Sequence, residues 1–380
     1  MLNLSSRTAY QDDHGLFRDT VRRFYEREAM PHLDRWEREG LVEPGFWIKA
    51  GAAGLLCPTV PEAYGGLGLD FGYNAVVAEE HGYVGCPAGL TLQSDIVVEY
   101  LLAYGSEEQK RLYLPRMVSG ELITAIAMTE PGAGSDLQGI RATARRDGGD
   151  YVINGSKTYI TNGQTAGLII VVAKTDPTLG AKGISLLLVE QEAAGFARGR
   201  NLDKIGLHGA DTSELFFNDV RVPGSALLGE EGQGFAYLMS QLPQERLSIA
   251  IGAQAGAQRA FDLAQQFVHD RKAFGKTVAD FQNTRFVLAD MASKLQVGWA
   301  HIDWAIRRHV VHELTAVEAS AAKLFHTELQ WEVSDQALQL HGGAGYMNEY
   351  EIARRWRDAR VTRLFGGTSE IMKEVVGRSL

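Results

Sequence analysis

Apolar positions in the first third of the chain fall on a helical period. Phe17, Val21, Phe24 and Tyr25 recur at i, i+4, i+7 and i+8, one face of a helix. Glycine-rich breaks at Gly65-Gly66-Leu67-Gly68 and between Gly82 and Gly89 separate further amphipathic pieces such as Asp95 to Tyr104. Residues 1–122 are therefore expected to form an all-α domain. Over residues 123–229 the pattern turns to short runs rich in β-branched and aromatic residues. Leu168 to Thr175, Ile184 to Val189 and Glu214 to Val222 read as strands, and the Asn-Gly dipeptides between Asp150 and Gly163 signal a hairpin. A small barrel or sandwich is expected there. The helical period then returns: Ala250 to Val268, Thr284 to Val310 and Thr315 to Leu340 suit a helical bundle in residues 230–380. The overall class is α+β, in the order α, β, α.

Composition narrows the function. The 380 residues hold 38 Lys and Arg against 47 Asp and Glu, a net charge of −9 that argues against a nucleic acid or an anionic membrane surface as partner. No apolar run approaches the ~20 residues of a membrane span. Met1 to Arg7 carries neither a cationic stretch nor an apolar core, so no secretion signal is expected. Cys57 and Cys86 are too few for a disulfide framework or a zinc site and read as small buried hydrophobes. The expectation is a soluble cytosolic protein without a metal. The 42 glycines beside only 10 prolines point to turns and close backbone approaches rather than disorder.

Several familiar chemistries find no handle. There is no Gly-x-Gly-x-x-Gly, Gly-x-Ser-x-Gly, His-Glu-x-x-His or Cys-x-x-Cys. Phe274-Gly275-Lys276-Thr277 looks like the end of a phosphate loop, but Asp270 stands where its first glycine belongs.

Ala127-Met-Thr-Glu-Pro-Gly-Ala-Gly-Ser-Asp136 is a loop of small residues whose N–H groups, with the Thr129 and Ser135 hydroxyls, can approach a ligand closely. An ordinary glycine-rich turn is an equal reading of the loop alone. The string matches, residue for residue, a signature of the acyl-CoA dehydrogenase family of flavoproteins. The resemblance recurs at Gly155-Ser-Lys-Thr-Tyr-Ile-Thr-Asn-Gly163, Lys204-Ile-Gly-Leu-His-Gly209 and Ser213 to Pro223. It continues at Arg271-Lys-Ala-Phe-Gly-Lys276 with Phe281-Gln282, then at Gln339 to Tyr346, Arg357-Asp-Ala-Arg360 and Gly366-Gly-Thr-Ser-Glu370.

The resemblance implies a helical N-terminal domain, a central β domain and a C-terminal four-helix bundle, with FAD held noncovalently between the last two. Ile126, Ala127, Met128, Thr129, Gly134 and Ser135, with Tyr159, Ile160 and Thr161, would meet the flavin ring edge. Arg271, Phe281, Gln282, Gln339, Gly342 and Gly343 would take the ribityl, pyrophosphate and adenosine portions, some from a neighbouring subunit. Thr368, Ser369 and Glu370 would belong to the same pocket. A homotetramer arranged as a dimer of dimers is implied, with an electron-transfer flavoprotein as electron acceptor.

Family members remove the α-proton of an acyl-CoA thioester with a carboxylate, which in many lies just before the Gly-Thr-Ser motif. Here that slot is Gly366, which has no proton acceptor. The long-chain and isovaleryl branches instead place a glutamate before an arginine, and Leu242-Pro-Gln-Glu-Arg-Leu247 supplies Glu245 and Arg246. Glu245 would be the base, with its pKa raised when substrate excludes water. The Gly366 N–H would hydrogen-bond the thioester carbonyl as an oxyanion donor. Arg246, Ser135 and Gly367 would touch substrate. Glu245 also suits the first turn of a helix opened by Pro243, where the dipole favours an acid.

His341 receives no chemistry. The Arg354 to Arg363 cluster either belongs to the family pattern or pairs with Glu349, Glu351 and Asp358 at helical spacings. The expected reaction is α,β-desaturation to a trans-2-enoyl-CoA with hydride transfer to FAD N5. Alternatives are an oxygen-using acyl-CoA oxidase or monooxygenase of the same fold, or a non-catalytic or DNA-binding relative.

Overall fold

The computed structural model describes residues 7–380, so Met1 to Ser6, where no secretion signal is expected, lie outside the described residues. Six helices come first: α1 (Asp12–Glu28), α2 (Leu33–Glu39), α3 (Pro44–Ala52), α4 (Phe71–Val84), α5 (Val98–Tyr104) and α6 (Glu107–Ser119). The periodic Val21, Phe24 and Tyr25 are the buried face of α1. A π-helical turn, Leu92–Val97, leads into α5 in place of the plain amphipathic helix read from Asp95 onward. It widens the helix by one residue per turn, a feature that gathers at functional sites.

Eight strands follow: β1 (Thr124–Ala127), β2 (Thr143–Asp147), β3 (Asp150–Thr161), β4 (Leu168–Lys174), β5 (Ile184–Glu190), β6 (Phe196–Asn201), β7 (Thr212–Pro223) and β8 (Leu227–Leu228). They form one sheet in the order β6-β7-β3-β2-β4-β5-β8, with β1 parallel to β4; its ends do not pair, so the sheet is open. β4 is apolar on both faces because both are covered. Leu168, Ile170 and Val172 join the core shared with the N-terminal helices, while Ile169, Val171 and Ala173 join the core within the sheet region.

The hairpin signal at Asn154-Gly155 is overturned. β3 runs unbroken through it, and the dipeptide marks a bulge where the register against β7 shifts. Pairing on both edges of β3 outweighs the local turn preference. Gly155 has φ 144°, and a Cβ there would press on Ala142. The hairpin turn lies instead at Gly148-Gly149, between β2 and β3.

The C-terminal region supplies three long helices, α7 (Gly234–Asp270), α8 (Gln282–Val310) and α9 (Ala316–His341), with short α10 (Glu351–Ala359) and α11 (Ser369–Gly377). A two-residue ribbon, β9 (Lys272–Ala273) with β10 (Lys276–Thr277), joins α7 to α8. α7 buries a stripe of small residues, among them Ala250, Ala253, Ala257, Ala260 and Ala264, so neighbouring helices come close. A Cβ on Gly82 of α4 would strike the backbone of Gly252. Among the described residues no helix is long and apolar enough to cross a membrane.

Cys57 and Cys86 are buried and unpaired, and burial raises both thiols, Cys86 to about 12. The basic cluster pairs mostly at long range. Arg354 meets Asp34 and Arg363 meets Glu328, while Arg355 alone uses a helical spacing, to Glu351 at 2.6 Å. Asp358 accepts the Leu207 N–H instead.

Candidate active site

The first-turn reading of Glu245 does not survive the fold. α7 begins at Gly234 and runs on through Pro243, so Glu245 lies in the helix interior, beyond reach of the N-terminal dipole. It is 6% exposed. Its Oε1 accepts a hydrogen bond from the Tyr100 hydroxyl at 2.8 Å. Burial pushes the carboxyl up to about 7, against the opposing pulls of Tyr100 and the neighbouring Arg246.

Arg246 is buried too. One guanidinium nitrogen donates to Ser320 Oγ at 2.8 Å, while Nε has no partner among the described residues. Burial lowers its pKa, partly offset by Glu245. One turn further along α7, Ile249 lies where a Cβ on Gly366 would fall. Gly366 (φ +60°) and Gly367 (φ +95°) both adopt backbone that disfavours side chains. Lys323 of α9 clamps this loop, donating to Thr362 O at 3.0 Å and Gly367 O at 2.8 Å. Burial and Arg246 bring its ammonium down to about 8. The fold thus gathers Glu245 and Arg246, Lys323, and Gly366 and Gly367 from three stretches of chain. Thr368 caps α11 by accepting from Ile371 N, and Ser369 donates to Glu328 at 2.6 Å, so both hold the loop's exit. Glu370, exposed in the first turn of α11, is kept ionised by backbone N–H and Thr368 bonds.

The two loops of the sheet region are adjacent. Thr158 N donates to Thr129 O, and buried Lys157 reaches Met128 O at 3.0 Å and Glu130 Oε1 at 2.8 Å. Burial lowers Lys157 to about 8 despite that ion pair. These ties fix the segment carrying Ile126, Ala127, Met128 and Thr129 against the one carrying Tyr159, Ile160 and Thr161. Gly134 and Ser135 are exposed at the loop's far end. Tyr159 is 69% exposed at φ +59°, a conformation held by its neighbours rather than by its own preference.

The π-helical turn joins these loops to the glutamate. On one side Gln93 accepts from Thr124 N at 3.0 Å, and Asn162 Nδ2 donates to Thr124 O. On the other, Asp95 accepts from Ser248 Oγ, and its carbonyl from Gln244 Nε2 at 2.8 Å. Sequence reasoning missed Gln93, Asp95, Tyr100 and Lys323. Lys157 and Glu130 stood inside the matched motifs without a role assigned.

Arg271, Phe281, Gln282, Gln339, Gly342 and Gly343 make up a second set, at the end of α7, the start of α8 and the end of α9. His341 precedes the two glycines, stacked on Phe267 at 4.4 Å and bonded to Ala337 O, a structural part. No hydrogen bond among the described residues links this set to the sheet loops. A flavin dinucleotide asks for open backbone at the ring edge and a cation with accessible N–H groups for the pyrophosphate. A Cβ at Gly132, Gly134, Gly342 or Gly343 would meet nothing within 4 Å, and Arg271 is exposed, so the residues present fit such a group.

The comparisons agree along the whole chain. The profiles described as acyl-CoA dehydrogenase N-terminal, middle and C-terminal domains match residues 11–121, 125–220 and 232–380. The chain is 48% identical over 383 residues to the mitochondrial long-chain specific acyl-CoA dehydrogenase of Sus scrofa, covering all of this chain and 89% of that one. It is similar to the crystal structure of an acyl-CoA dehydrogenase from Geobacillus kaustophilus, at 50% identity and TM-score 0.97 over 98% of this chain and 99% of that one. A glutaryl-CoA dehydrogenase from Mycobacterium smegmatis, solved in complex with FADH2, aligns at 28% identity and TM-score 0.93, over 98% and 96%. The chain belongs to the acyl-CoA dehydrogenase family, whose members are FAD-dependent oxidoreductases.

Proposed function

We propose that Glu245 is the base of an acyl-CoA dehydrogenase reaction, taking the α-proton of a thioester as the β-hydrogen leaves with its electron pair and a trans-2-enoyl-CoA forms. The observation that carries this reading is the buried Glu245 carboxyl, lifted to about 7 on the interior of α7. It packs one turn from the loop whose Gly366 slot lacks the alternative acid. A carboxyl near neutrality is a better match to a weak carbon acid than an ordinary surface glutamate. FAD supplies the hydride acceptor. The Gly366 N–H donates to the thioester carbonyl, where charge grows as the proton leaves, and the Lys323 clamp fixes the direction of that donor. Arg246 and Gly367, with Ser135 from the sheet loop, hold the acyl-CoA.

Residues 126–129, Gly134, Ser135 and 159–161 would hold the flavin ring edge, and Thr368, Ser369 and Glu370 would belong to the same pocket. Arg271, Phe281, Gln282, Gln339, Gly342 and Gly343 would take the ribityl, pyrophosphate and adenosine portions of the cofactor, some of them from a neighbouring subunit. The exposed Phe274 and Tyr346, at 95% and 82%, would be covered in a dimer of dimers. Domain divisions at 122/123 and 229/230, an electron-transfer flavoprotein as acceptor and a cytosolic location complete the reading; the unpaired cysteines suit a reducing compartment.

The test is Glu245→Gln. The variant is expected to keep FAD and fold while losing about 10²–10⁴-fold in turnover on its best acyl-CoA. Near wild-type turnover would sink the assignment. Anaerobic bleaching of the flavin by acyl-CoA, followed by slow reoxidation in air, is the result expected of a dehydrogenase; rapid reoxidation would mark an oxidase.

A further inference from the structure

The Glu245 carboxyl receives one protein hydrogen bond among the described residues, from Tyr100, and the way that tyrosine is held is the informative part. Tyr100 is fully buried on α5. Its helix is fastened to α7 on both sides of Glu245. Upstream of the glutamate, Tyr104 stacks on Tyr237 at 3.8 Å and bonds Ser240. Downstream, Asp95 of the π-helical turn bonds Ser248. Between these two fastenings lies Pro243, which has no N–H to give the helix, so α7 is internally weakest just before the glutamate. The tyrosine therefore reaches the carboxylate from a strut anchored on both flanks of the weak point.

We propose that Tyr100 is a positioning residue for proton transfer: its hydroxyl holds Oε1 of Glu245 and so makes Oε2 the oxygen that takes the substrate's α-proton. This rests on Glu245 being the base. The bond has a second effect, because a donor to the ionised carboxyl favours that form and opposes the rise that burial causes. Tyr100 itself is pushed well above the ordinary tyrosine value, so it stays a donor throughout the working range. The other titratable groups around Glu245 are Arg246 on its own helix and Asp95 and Glu99 on the facing element. His309 of α8 acts through Gln244, and Lys323 of α9 through Arg246. Of these, Tyr100 alone touches the carboxylate.

The experiment compares holoenzyme carrying Tyr100→Phe with wild type and with Tyr113→Phe, a tyrosine whose hydroxyl bonds Glu190 at 2.9 Å in another part of the molecule. Tyr100→Phe is expected to lower kcat about tenfold with KM changed less than about twofold, and to move the acid limb of kcat/KM up by about one pH unit. Tyr113→Phe is expected to match wild type in both. A purely structural role for Tyr100 would not move the limb. An unmoved limb with kcat within twofold of wild type overturns the proposal while leaving Glu245 as base. Turnover by Glu245→Gln would overturn the underlying reading instead. Should Tyr100→Phe fail to accumulate, replacing all tyrosines with 3-fluorotyrosine, a stronger hydroxyl donor, reads the same contact with opposite sign. The acid limb then moves down, and a limb that stays or rises refutes the role.

Discussion

Glu245 faces two opposed requirements. It must be ionised to accept a proton, yet basic enough to pull one from carbon. Burial raises it to about 7, while the Tyr100 bond and Arg246 keep the ionised form within reach. The pH dependence follows from the sign. A base works only when deprotonated, so kcat/KM should rise through a midpoint near 7 and level off above it. A steady-state profile with a saturating electron acceptor checks this, and a limb near the ordinary glutamate value of 4.5 would contradict it. Gly366 is the companion case. Its φ of +60° and the Ile249 side chain at its Cβ position leave no room for an acid without strain. Glutamate at 245 and glycine at 366 were legible together in the sequence because each stands inside a recognisable motif. Their convergence was not, since it depends on α7 and the 360–367 loop packing together.

At the scale of elements, the π-helical turn is the piece that the sequence concealed. Period analysis reads Asp95 to Tyr104 as one amphipathic helix. Nothing local reports the widened turn, because the contacts that fix it span 153 residues to Ser248 and 149 to Gln244. The long helices and the apolar β4 were legible for the opposite reason, since their burial pattern repeats along the chain itself. The hairpin read at Asn154-Gly155 failed where pairing partners on both sides of β3 overrode a dipeptide preference. The turn also carries a stability cost. Burial raises Asp95 to about 7, so its folded-state pKa lies above the usual 3.8. The fold is then unpenalised below about 3.8 and loses stability as pH climbs toward 7. An amide at position 95 would keep an oxygen for Asn74 Nδ2, which donates to Asp95 Oδ1 at 2.9 Å, and would turn its nitrogen to Ser248 Oγ, which can accept. Asp95→Asn should therefore raise the thermal midpoint at pH 8 by several degrees, reflecting roughly 2 kcal/mol or more. At pH 4 the two proteins should unfold together. Equal midpoints at both values would show that Asp95 ionises in the fold at no cost.

Across the whole molecule, Arg7 and Arg18 are bound to both helical regions by buried charge. Glu79 of α4 meets Arg7 at 2.7 Å and Arg18 at 2.7 Å and accepts the Tyr10 hydroxyl, while Arg7 also reaches Asp303 of α8 at 2.6 Å. The cluster joins the described N-terminal segment and α1 to α4 and, through Arg7, to the helical bundle beside α7. Alternating apolar positions gave no hint of it, because charged residues predict exposure until partners from other elements are known. The arginines hold Glu79 down to about 2 although burial works the other way. Its folded pKa is depressed, so the stabilisation is complete above about 4.5 and fades as pH falls toward 2. Removing one partner of a buried set leaves the others uncompensated, at a cost of about 3 kcal/mol. Glu79→Gln should accordingly lower the thermal midpoint at pH 7 by several degrees, and the gap to wild type should narrow as pH falls below 4. Because the cluster lies away from Glu245 and the 366–367 loop, kcat at 25 °C should stay within about twofold of wild type. Thermal scans at pH 7 and pH 3.5, with turnover measured on the same preparations, separate the outcomes. A midpoint that does not move at pH 7 would mean that Arg7 and Arg18 are satisfied by Asp303 and Glu80, and that the N-terminal segment is held by packing rather than by charge.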